Sequence, residues 1–504
     1  MPSLSWNCTA DSVFLHAKII GFIMLNRSNM YKMLAGLLLC LTSCNADPLK
    51  TFEVYVREDF ILSEKPVAEF YGEVYGSISN SHFSIAYSTD EQSLKSDDYR
   101  QREEVHVAFN GLASGSYSVM SKELEPDKTY YYCWCIHQAG AGYYYGETKQ
   151  FRTCHPYSFP TELDMAAAED LSSAASANCY IVSKPGLYKF KAVKGNSDDM
   201  VGEVASSSLL WETFGTRETP AACDIINATW YEDGYIAFET SEQFREGNAS
   251  IAARDEDGNI LWSWHIWLTD PPCGQVFYND AGTMMDRNLG ATSLDHDDVT
   301  TCGLVYQWGR KDPFMGSASL TSTLYPASTS ASWPEPLKPD LLICNIEYAT
   351  SHPMQFIMGY GWHFYYDGND FAGGLWTTSG SPKSIYDPCP AGWRVPDGGP
   401  DGVFAKASGE TYKALVEVIA RRGVDLSGKF GDDSCIWYPF AGFRDPYDGG
   451  FDWVGCQGFF WTATLGSDPD AAYVVSFSGS DTGVVWLGDK YACSHGCSVR
   501  CVKE

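Results

Sequence analysis

Short runs in which apolar and polar residues alternate occupy much of this 504-residue chain. Between residues 51 and 153 seven such runs occur, among them residues 52–56, 83–87 and 105–109, and most are separated by Gly, Asn, Asp or Ser. A side-chain period of two, with turn residues between the runs, is typical of half-buried antiparallel strands. Seven strands in about 100 residues therefore predict a β-sandwich.

The alternation returns between residues 163 and 270, although residues 164–176 have some helical composition. Within residues 260–268 both sets of alternate positions are largely apolar, which predicts a strand that is buried on both faces, at an interface with the next domain. His265 falls in this strand, and no second His or Cys at a metal-binding spacing accompanies it. We therefore expect His265 to be a hydrogen-bonded core histidine.

From residue 271 onward the chain has long loops rich in Gly, Asp and Trp. Residues 412–422 predict an amphipathic helix, because Leu415, Val418 and Ile419 fall on one stripe at helical spacing. This last part of the chain is therefore expected to mix helix and strand.

The stretch at residues 386–396 is predicted to be rigid. Two prolines flank Cys389 and fix the backbone on either side of it, and Gly392 allows a tight turn that directs the following side chains inward. We expect Cys389 to form a disulfide with Cys501, near the end of the chain. Such a bond closes a loop of about 110 residues, which in the chain-entropy view stabilises the fold by roughly 4 to 5 kcal/mol.

Composition narrows the function classes. The net charge is −29, from 64 acidic and 35 basic side chains, and this charge repels phosphate backbones, so we expect no nucleic-acid partner. Seventeen cysteines are many for a cytosolic protein, and none forms a pair of zinc-binding CxxC motifs, so an oxidising compartment is predicted. The length predicts about three domains.

The N-terminal region predicts a membrane anchor. Residues 30–33 supply a short basic start, and residues 34–41 form an apolar run too short to span a bilayer. Together with the following Leu-Thr-Ser-Cys they resemble a bacterial lipoprotein signal, which implies cleavage before Cys44 and acylation of that cysteine. Residues 1–29 are interpreted as a mispredicted extension, with Met30 or Met33 as the true start, and the alternative is an unusually long n-region of the signal. Removal of the two earlier cysteines and lipidation of Cys44 would leave 14 cysteines, an even number that permits full pairing.

Residues 51–153 resemble a fibronectin type III domain. The resemblance is most specific at residues 124–132, which read LEPDKTYYY, and at residues 146–153, which read GETKQFRT. The tyrosine pattern suits the corner in which a phenol hydroxyl hydrogen-bonds the preceding turn. Tyr143 to Tyr145 could form an exposed aromatic patch for sugar stacking, although tyrosines packed on the sandwich are the favoured interpretation.

Residues 271–504 are similar to the Fibrobacter succinogenes major paralogous domain, a module of secreted and surface lipoproteins of the Bacteroidetes. The motifs that carry this similarity occur in the family's order: Arg287-Asn288-Leu289, Tyr306-Gln307-Trp308-Gly309, the CPAGWRVP run at 389–396, and Val499-Arg500-Cys501. The chain reads Phe460-Trp461-Thr462 where the family has Tyr-Trp-Ser. The resemblance implies an α+β fold related to C-type lectins. Residues 163–270 resemble the β-rich segment that often precedes such modules.

Candidate functional residues are few. Five arginines lie among aromatic residues, and we expect them to lock loops through cation–π contacts and carbonyl hydrogen bonds: Arg287, Arg310, Arg394, Arg444 and Arg500. Most of the tryptophans in this region are expected in the core, whereas Trp453 and Trp486 lie in Gly/Asp-rich turns and are predicted to face a ligand. Cys493 and Cys497 are expected to be disulfide partners, although they also resemble, at a distance, the cysteine pair of formylglycine-generating enzymes.

Three clusters of carboxylates could bind calcium or hold a glycosidase pair: Asp295, Asp297 and Asp298; Asp367 and Asp370; and Asp445, Asp448 and Asp452. Lectin-like folds sometimes hold Ca²⁺ in such loops, so calcium stays open as a ligand. The absence of a twelve-residue calcium loop favours solvated turns instead. The sequence contains no Gly-x-Ser-x-Gly, P-loop, dinucleotide or His-Glu-x-x-His motif.

The sequence therefore predicts a mainly β, multidomain protein in which two β-sandwich modules (51–153 and 163–270) precede an α+β C-type lectin-like domain (271–504). The leading functional hypothesis is a non-enzymatic, surface-exposed outer-membrane lipoprotein whose lectin-like head binds glycan or protein. Two alternatives are a secreted polysaccharide-acting enzyme and a structural accessory subunit of a fimbria-like assembly. No catalytic, cofactor-binding or metal-binding residue is assigned.

Overall fold

A computed structural model describes residues 49–55, 67–74, 78–79, 81–96, 98–108, 111–112, 115–125, 128–138, 142–153, 165–221, 224–322, 324–338, 345–359, 374–420, 422–467, 471–479 and 483–504. The protein is mostly β, with 42% strand and 6% helix. The signal predicted at residues 30–44, with Cys44, lies outside the described residues. The chain divides into two compact units, Met1–Lys50 and Thr51–Glu504. Of the first unit only Leu49 and Lys50 are described, at the start of the strand Leu49–Tyr55, and the remainder of the following account concerns the second unit.

The first part of the chain contains two main sheets. One contains β1 (Leu49–Tyr55), β2 (Glu69–Val74) and β7 (Gly115–Met120). The other contains β10 (Lys149–Arg152), β8 (Thr129–Gln138), β4 (Ser81–Ser88) and β5 (Glu103–Ala108), with β9 (Gly142–Tyr145) also paired to β8. The short strands β3 (Ile78–Ser79) and β6 (Gly111–Leu112) pair with each other, and the one-turn helix α1 (Glu91–Leu94) follows β4.

Aromatic side chains join these two sheets face to face. The ring of Phe70 on β2 lies 5.3 Å from that of Tyr132 on β8 and 6.1 Å from that of Phe151 on β10. The predicted tyrosine corner is confirmed, because the backbone N–H of Glu125 donates to the hydroxyl of Tyr130 at 3.0 Å. The alternating pattern of residues 51–153 thus forms a sandwich.

A second sandwich follows. Its sheets have the strand orders β11-β13-β16-β15 and β12-β18-β17-β14. The bounds are β11 (Glu169–Asp170), β12 (Cys179–Val182), β13 (Leu187–Lys191), β14 (Ser206–Thr213), β15 (Ile226–Glu232), β16 (Tyr235–Thr240), β17 (Gly247–Arg254) and β18 (Ile260–Leu268). Phe190 on β13 and Trp264 on β18 meet across the core, with ring centroids 5.0 Å apart.

Strand β18 is buried on both faces, as the sequence predicts. Trp264 and Ile266 belong to the core between the two sheets of the sandwich. Trp267, on the opposite face, belongs to a second core that includes Trp308 from the C-terminal part of the chain. One continuous apolar core therefore extends from the second sandwich into residues 271–504.

The C-terminal part contains a four-stranded and a ten-stranded sheet. The first has the order β19-β20-β32-β22, from β19 (Gly274–Phe277), β20 (Gly282–Met285), β32 (Val502–Lys503) and β22 (Trp393–Arg394). The second has the order β25-β24-β23-β30-β29-β28-β31-β26-β27, with β21 also paired to β31. Its bounds are β21 (Val305–Gln307), β23 (Lys413–Ile419), β24 (Gly423–Asp425), β25 (Trp437–Pro439), β26 (Phe443–Arg444), β27 (Phe451–Asp452), β28 (Gln457–Leu465), β29 (Ala471–Ser478), β30 (Gly483–Ala492) and β31 (Gly496–Ser498).

Helices contribute little to this part. The α-helices described here are α2 (Ile346–Ser351) and α3 (Val403–Ser408), and 3₁₀ turns occur at Val299–Cys302 and, in the first sandwich, at Tyr99–Gln101. Within the ranges that the structure describes, no helix is long and apolar enough to cross a membrane.

The helix predicted at residues 412–422 is wrong. Residues 413–419 form strand β23, paired with β30 on one side and β24 on the other. Residues 165–176 contain turns and the two-residue strand β11. Here the carboxylate of Asp170 accepts hydrogen bonds from the N–H and hydroxyl of Ser172, a local bond that competes with helix.

The stretch at residues 386–396 contains the disulfide and the tight turn that were expected. Cys389 and Cys501 form a disulfide, with an S–S distance of 2.04 Å and Cα atoms 6.1 Å apart. The buried carboxylate of Asp387 accepts from the backbone N–H of Cys389 at 2.9 Å and of Val395 at 3.0 Å, which closes the turn at Gly392 (φ +78°). Of the two side chains that follow the turn and were expected to point inward, Val395 is fully buried and Trp393 is half-buried.

Candidate binding surface

One face of the ten-stranded sheet is only partly covered. Cross-strand pairing places Phe459, Ser476, Trp486 and Lys413 in a single row across β28, β29, β30 and β23. Phe459 is 1% exposed and packs in the core shared with the second sandwich. Trp486 is half-buried and Lys413 is exposed. The covering layer therefore ends between β29 and β23.

Side-chain exposure increases in the same direction along the next row. It passes from Ser478 to Val484 and then to Leu415, whose side chain is 63% exposed. The opposite face of these strands is sealed, because Ala414, Val485 and Phe477 lie in a separate buried core. We call the uncovered area, formed by Tyr412, Lys413, Leu415, Val484 and Trp486, the β23–β30 face.

Aromatic rings and one cation form the corner of the β23–β30 face. The ring of Tyr412, 62% exposed, meets that of Trp486 edge-on at a centroid distance of 5.3 Å. The ammonium of Lys413 lies 5.6 Å from the centroid of the Trp486 ring, a cation–π contact. The backbone carbonyl of Tyr412 accepts from the N–H of Leu487 at 2.9 Å, which fixes this corner against β30.

The two tryptophans predicted to face a ligand do not form one site. Trp453 is 53% exposed and has a positive φ of 60°, in the turn after β27. Trp486 lies on β30, five strand positions away in the sheet order. At about 4.8 Å per strand, this separates them by roughly 24 Å along the sheet.

The other tryptophans of this region lie mainly inside, as expected. Trp308, Trp376, Trp437 and Trp461 are each 5% exposed or less. The indole N–H of Trp308 donates to the carbonyl of Thr462 at 2.8 Å, and that of Trp461 donates to the carbonyl of Tyr306 at 2.7 Å. These two hydrogen bonds connect strand β28 with strand β21 and with the residue that follows β21, and both indoles are fully buried.

The arginines also have structural partners. The guanidinium of Arg310, 1% exposed, donates to the side-chain oxygen of Gln307 and to four backbone carbonyls, those of Ala349, His352, Pro353 and Gln355. Arg394 donates to the carbonyls of residues 377, 378 and 381. The guanidinium of Arg444 lies 4.3 Å from the ring centroid of Phe356. Loop locking by carbonyl bonds and cation–π contacts is thus confirmed for these residues.

The carboxylate clusters serve mainly as turn acceptors. Asp298 accepts from the N–H of Thr300, and Asp297 pairs with the guanidinium of Arg422. Asp367 and Asp370 lie outside the described residues. In the third cluster, burial and then the charges of Asp445 and Asp448 raise the pKa of Asp452. Over the described ranges, no group of three or more His, Cys, Asp or Glu side chains is arranged to hold a metal ion.

Several cysteines expected to form disulfides are buried thiols instead. Burial raises the pKa of Cys133 to about 11 and that of Cys135 to about 12. Cys497 is likewise a buried thiol with a pKa raised well above its usual value by burial. The disulfide predicted at Cys497 is therefore wrong, and Cys133 and Cys135 do not take part in the full pairing that the even cysteine count permits.

A smaller aromatic surface lies on the first sandwich. Tyr143 and Tyr144 on β9 are 41% and 50% exposed, which is more than packed sandwich tyrosines would be. The Tyr143 ring nevertheless packs against His137, with centroids 4.5 Å apart. The guanidinium of Arg102 lies 5.5 Å from the Tyr143 centroid and 5.2 Å from that of Tyr145. One side of this tyrosine hairpin therefore rests on the sandwich.

The residues that sequence reasoning missed are Tyr412, Lys413 and Leu415. A period of two was present in the run Lys-Ala-Leu-Val-Glu-Val-Ile, and this period would have placed Lys413, Leu415 and Glu417 on one face of a strand. The same run also has apolar residues at helical spacing, and that spacing led to the prediction of a helix.

No protein family model matches the chain, and no curated protein matches it. Solved structures with partial similarity include the third fibronectin III domain of the human KIAA0343 protein, at 15% identity over 24% of this chain and 94% of that one, with a TM-score of 0.13. The chicken CNTN1 FN1–FN3 domains match at 11% identity over 47% of this chain and 73% of that one (TM-score 0.14). The Bacteroides ovatus mixed-linkage glucan utilization locus SGBP-B, in complex with a mixed-linkage heptasaccharide, matches at 11% identity over 50% of this chain and 53% of that one (TM-score 0.13). TM-scores of this size support no conclusion about this chain's ligand or activity.

Proposed function

We propose that this protein is a non-enzymatic, lipid-anchored protein of the bacterial outer membrane that binds glycan at the cell surface through the β23–β30 face. The lipobox-like sequence ending at Cys44 supports the anchor. The similarity of the motifs in residues 271–504 to the Fibrobacter succinogenes major paralogous domain supports a C-type lectin-like module there.

The observation that carries the binding proposal is the uncovered aromatic corner on a rigid sheet. Trp486 and Tyr412 combine a flat apolar ring with a polar edge, and the CH face of a pyranose packs well on such rings. The sheet beneath them is sealed by a buried core, so the rings are held in place before a ligand arrives. Exposed apolar area of this kind is typical of binding sites.

Local charge favours a neutral ligand. Lys413 and Glu417 project from the same face of β23, and their charges offset each other. The protein as a whole carries a charge of −29, which disfavours a strongly anionic polymer. A neutral glycan therefore fits the β23–β30 face better than an acidic one.

A glycan array probed with the chain from Asp47 onward, with and without calcium, tests the proposal. We expect neutral glycans to bind, and Trp486→Ala to weaken binding about tenfold, since buried aromatic anchors contribute about 1–2 kcal/mol or more. Trp453→Ala is the matched control, because it removes an exposed indole roughly 24 Å away and should leave binding unchanged.

Three results would contradict the proposal. Binding that depends on Trp453 and not on Trp486 would move the site to another edge of the sheet. Cleavage of a bound glycan would instead support the polysaccharide-acting enzyme. The absence of any glycan ligand would favour the structural subunit of a surface assembly.

A further inference from the structure

A small cavity lies in the C-terminal part, at a site unrelated to the β23–β30 face. Its volume is about 140 Å³, and its lining includes the charged residues Asp286, Arg287 and Arg500, together with Gln275 and Trp437. A cavity of roughly 150 Å³ is large enough for a molecule the size of benzene. The space therefore suits a ligand group of about six non-hydrogen atoms.

Arg500 is the unusual member of this lining. Its side chain is 2% exposed, yet its guanidinium bonds only neutral acceptors: Nε donates to Oδ1 of Asn288 at 2.9 Å, and Nη1 donates to the carbonyl of Trp437 at 2.8 Å. Among the described residues, no carboxylate lies within ion-pair distance of it. The guanidinium stacks on Tyr438, 3.6 Å from the ring centroid, which offsets part of the cost of burying a charge. Nη2 has no hydrogen-bond partner among the described residues, and Arg500 lines the cavity.

Arg287 lies beside the same space but already has its counter-charges. Its guanidinium donates to Asp286 at 2.9 Å and to Asp270 at 2.7 Å. The carboxylate of Asp286 also accepts from the backbone N–H of Cys273 at 3.1 Å. Both aspartates thus form their ion pairs with Arg287. Asp286 acts on Arg500 through its charge but makes no ion pair with it.

Buried charges in proteins are normally paired, because an unpaired ion in the interior costs several kcal/mol. An arginine beside a cavity can satisfy that requirement with a ligand, and the guanidinium fork matches a carboxylate in shape. We propose that this cavity binds a carboxylate group, with Arg500 as its ion-pair partner. The group could belong to a free short hydroxy acid or to a uronic acid residue at the end of a glycan.

Leu294 gives a way to test the charge requirement without disturbing the core. It lines the cavity, yet its side chain is 50% exposed, so polar replacements there leave packing largely intact. Calorimetric titration of the full chain would use lactate and glucuronate as probes. Lactamide and glucose are the neutral counterparts.

We expect both acids to bind and both neutral counterparts to fail. Leu294→Glu should weaken acid binding about tenfold, and Leu294→Lys should tighten it. Leu294→Gln, which adds no charge, should leave acid binding unchanged. The reason is that a charge at the rim of the cavity interacts with the charge of the ligand, although solvent partly screens this interaction. Tighter binding of lactate than of glucuronate indicates a free short acid as the natural ligand. The reverse order indicates a glycan end.

The proposal is overturned if neither acid binds at millimolar concentration, if the neutral counterparts bind equally well, or if opposite charges at Leu294 have the same effect. Arg500→Gln should abolish acid binding, but this buried substitution could also unfold the domain. The Leu294 series keeps the test decisive in that case.

Discussion

Protonation of His265 is expected to destabilise the protein in mild acid. His265 is 2% exposed, and its Nε2 lies 2.9 Å from Oδ1 of Asn248. The amide nitrogen of Asn248 donates to the carbonyl of Gly290 at 2.9 Å, so the oxygen faces the histidine and Nε2 carries the proton. Nδ1 is buried and has no hydrogen-bond partner. A second proton would therefore place an N–H in the core with no acceptor.

The magnitude follows from the shift in pKa. Burial lowers the pKa of His265 from 6.5 to about 3. As pH falls below 6.5 the unfolded chain takes up a proton that the folded chain does not, so the free energy of unfolding decreases down to about pH 3. Each pH unit costs about 1.4 kcal/mol, which gives a loss of about 2 kcal/mol at pH 5 and about 4 kcal/mol at pH 3, where the folded protein is itself half protonated.

The variant His265→Gln isolates this effect. Glutamine can donate to Asn248 but does not titrate, so its stability should fall less steeply with acid. Urea unfolding followed by tryptophan fluorescence at pH 7, 6 and 5 would give the free energy of unfolding of both proteins. We expect the wild type to lose about 2 kcal/mol more than the variant between pH 7 and pH 5. Parallel pH profiles would refute the assignment of a neutral core histidine.

Two further predictions concern the C-terminal part. Replacing both Cys389 and Cys501 by alanine should lower the free energy of unfolding by about 5 kcal/mol, because the disulfide closes a loop with a sequence separation of 112 residues. Urea unfolding measures this loss, and an unchanged unfolding midpoint would argue against the disulfide. Arg310→Met should cost about 3–5 kcal/mol, since it leaves buried carbonyls without a donor. Arg100→Met, at an exposed ion pair, is the control that should leave the thermal midpoint unchanged, and an equal effect of the two changes would contradict the structural role of Arg310.

Much of the architecture follows from local pattern. The tyrosine corner at Tyr130 and the two-faced burial of β18 could both be predicted, because each depends on side-chain spacing within a short segment. The turn at Gly392 was accessible for the same reason, since only a few residues tolerate its positive φ.

Strand β23 could not be recognised in this way. The positions of Leu415, Val418 and Ile419 satisfy a helical stripe, yet the run is rich in β-branched residues and finds strand partners on both sides. Whether this run forms a helix or a strand is decided by its pairing with β30, which lies about 70 residues later in the chain. In that pairing Lys413 lies opposite Trp486. Local spacing contains no information about that partner.

The exposure of candidate residues was equally hard to foresee. Trp461 and Trp486 both lie on strands of one sheet, yet one is fully buried and the other only half-buried. The difference arises because Trp461 belongs to the core that is continuous with the second sandwich, whereas Trp486 does not, and this depends on how distant parts of the chain pack. Cys497 shows the same dependence, because nothing near it in the sequence reveals that its thiol is sealed inside that core.

The bond between Cys389 and Cys501 also has a mechanical consequence. If the molecule is stretched between its two ends, the 112 residues that separate these cysteines cannot lengthen it, because the load passes directly through the sulfur atoms. Fully extended, that segment would span roughly 380 Å. Under tension the oxidised molecule should therefore extend much less than the reduced one. In a single-molecule pulling experiment, the extension contributed by this segment should appear only after the disulfide is reduced.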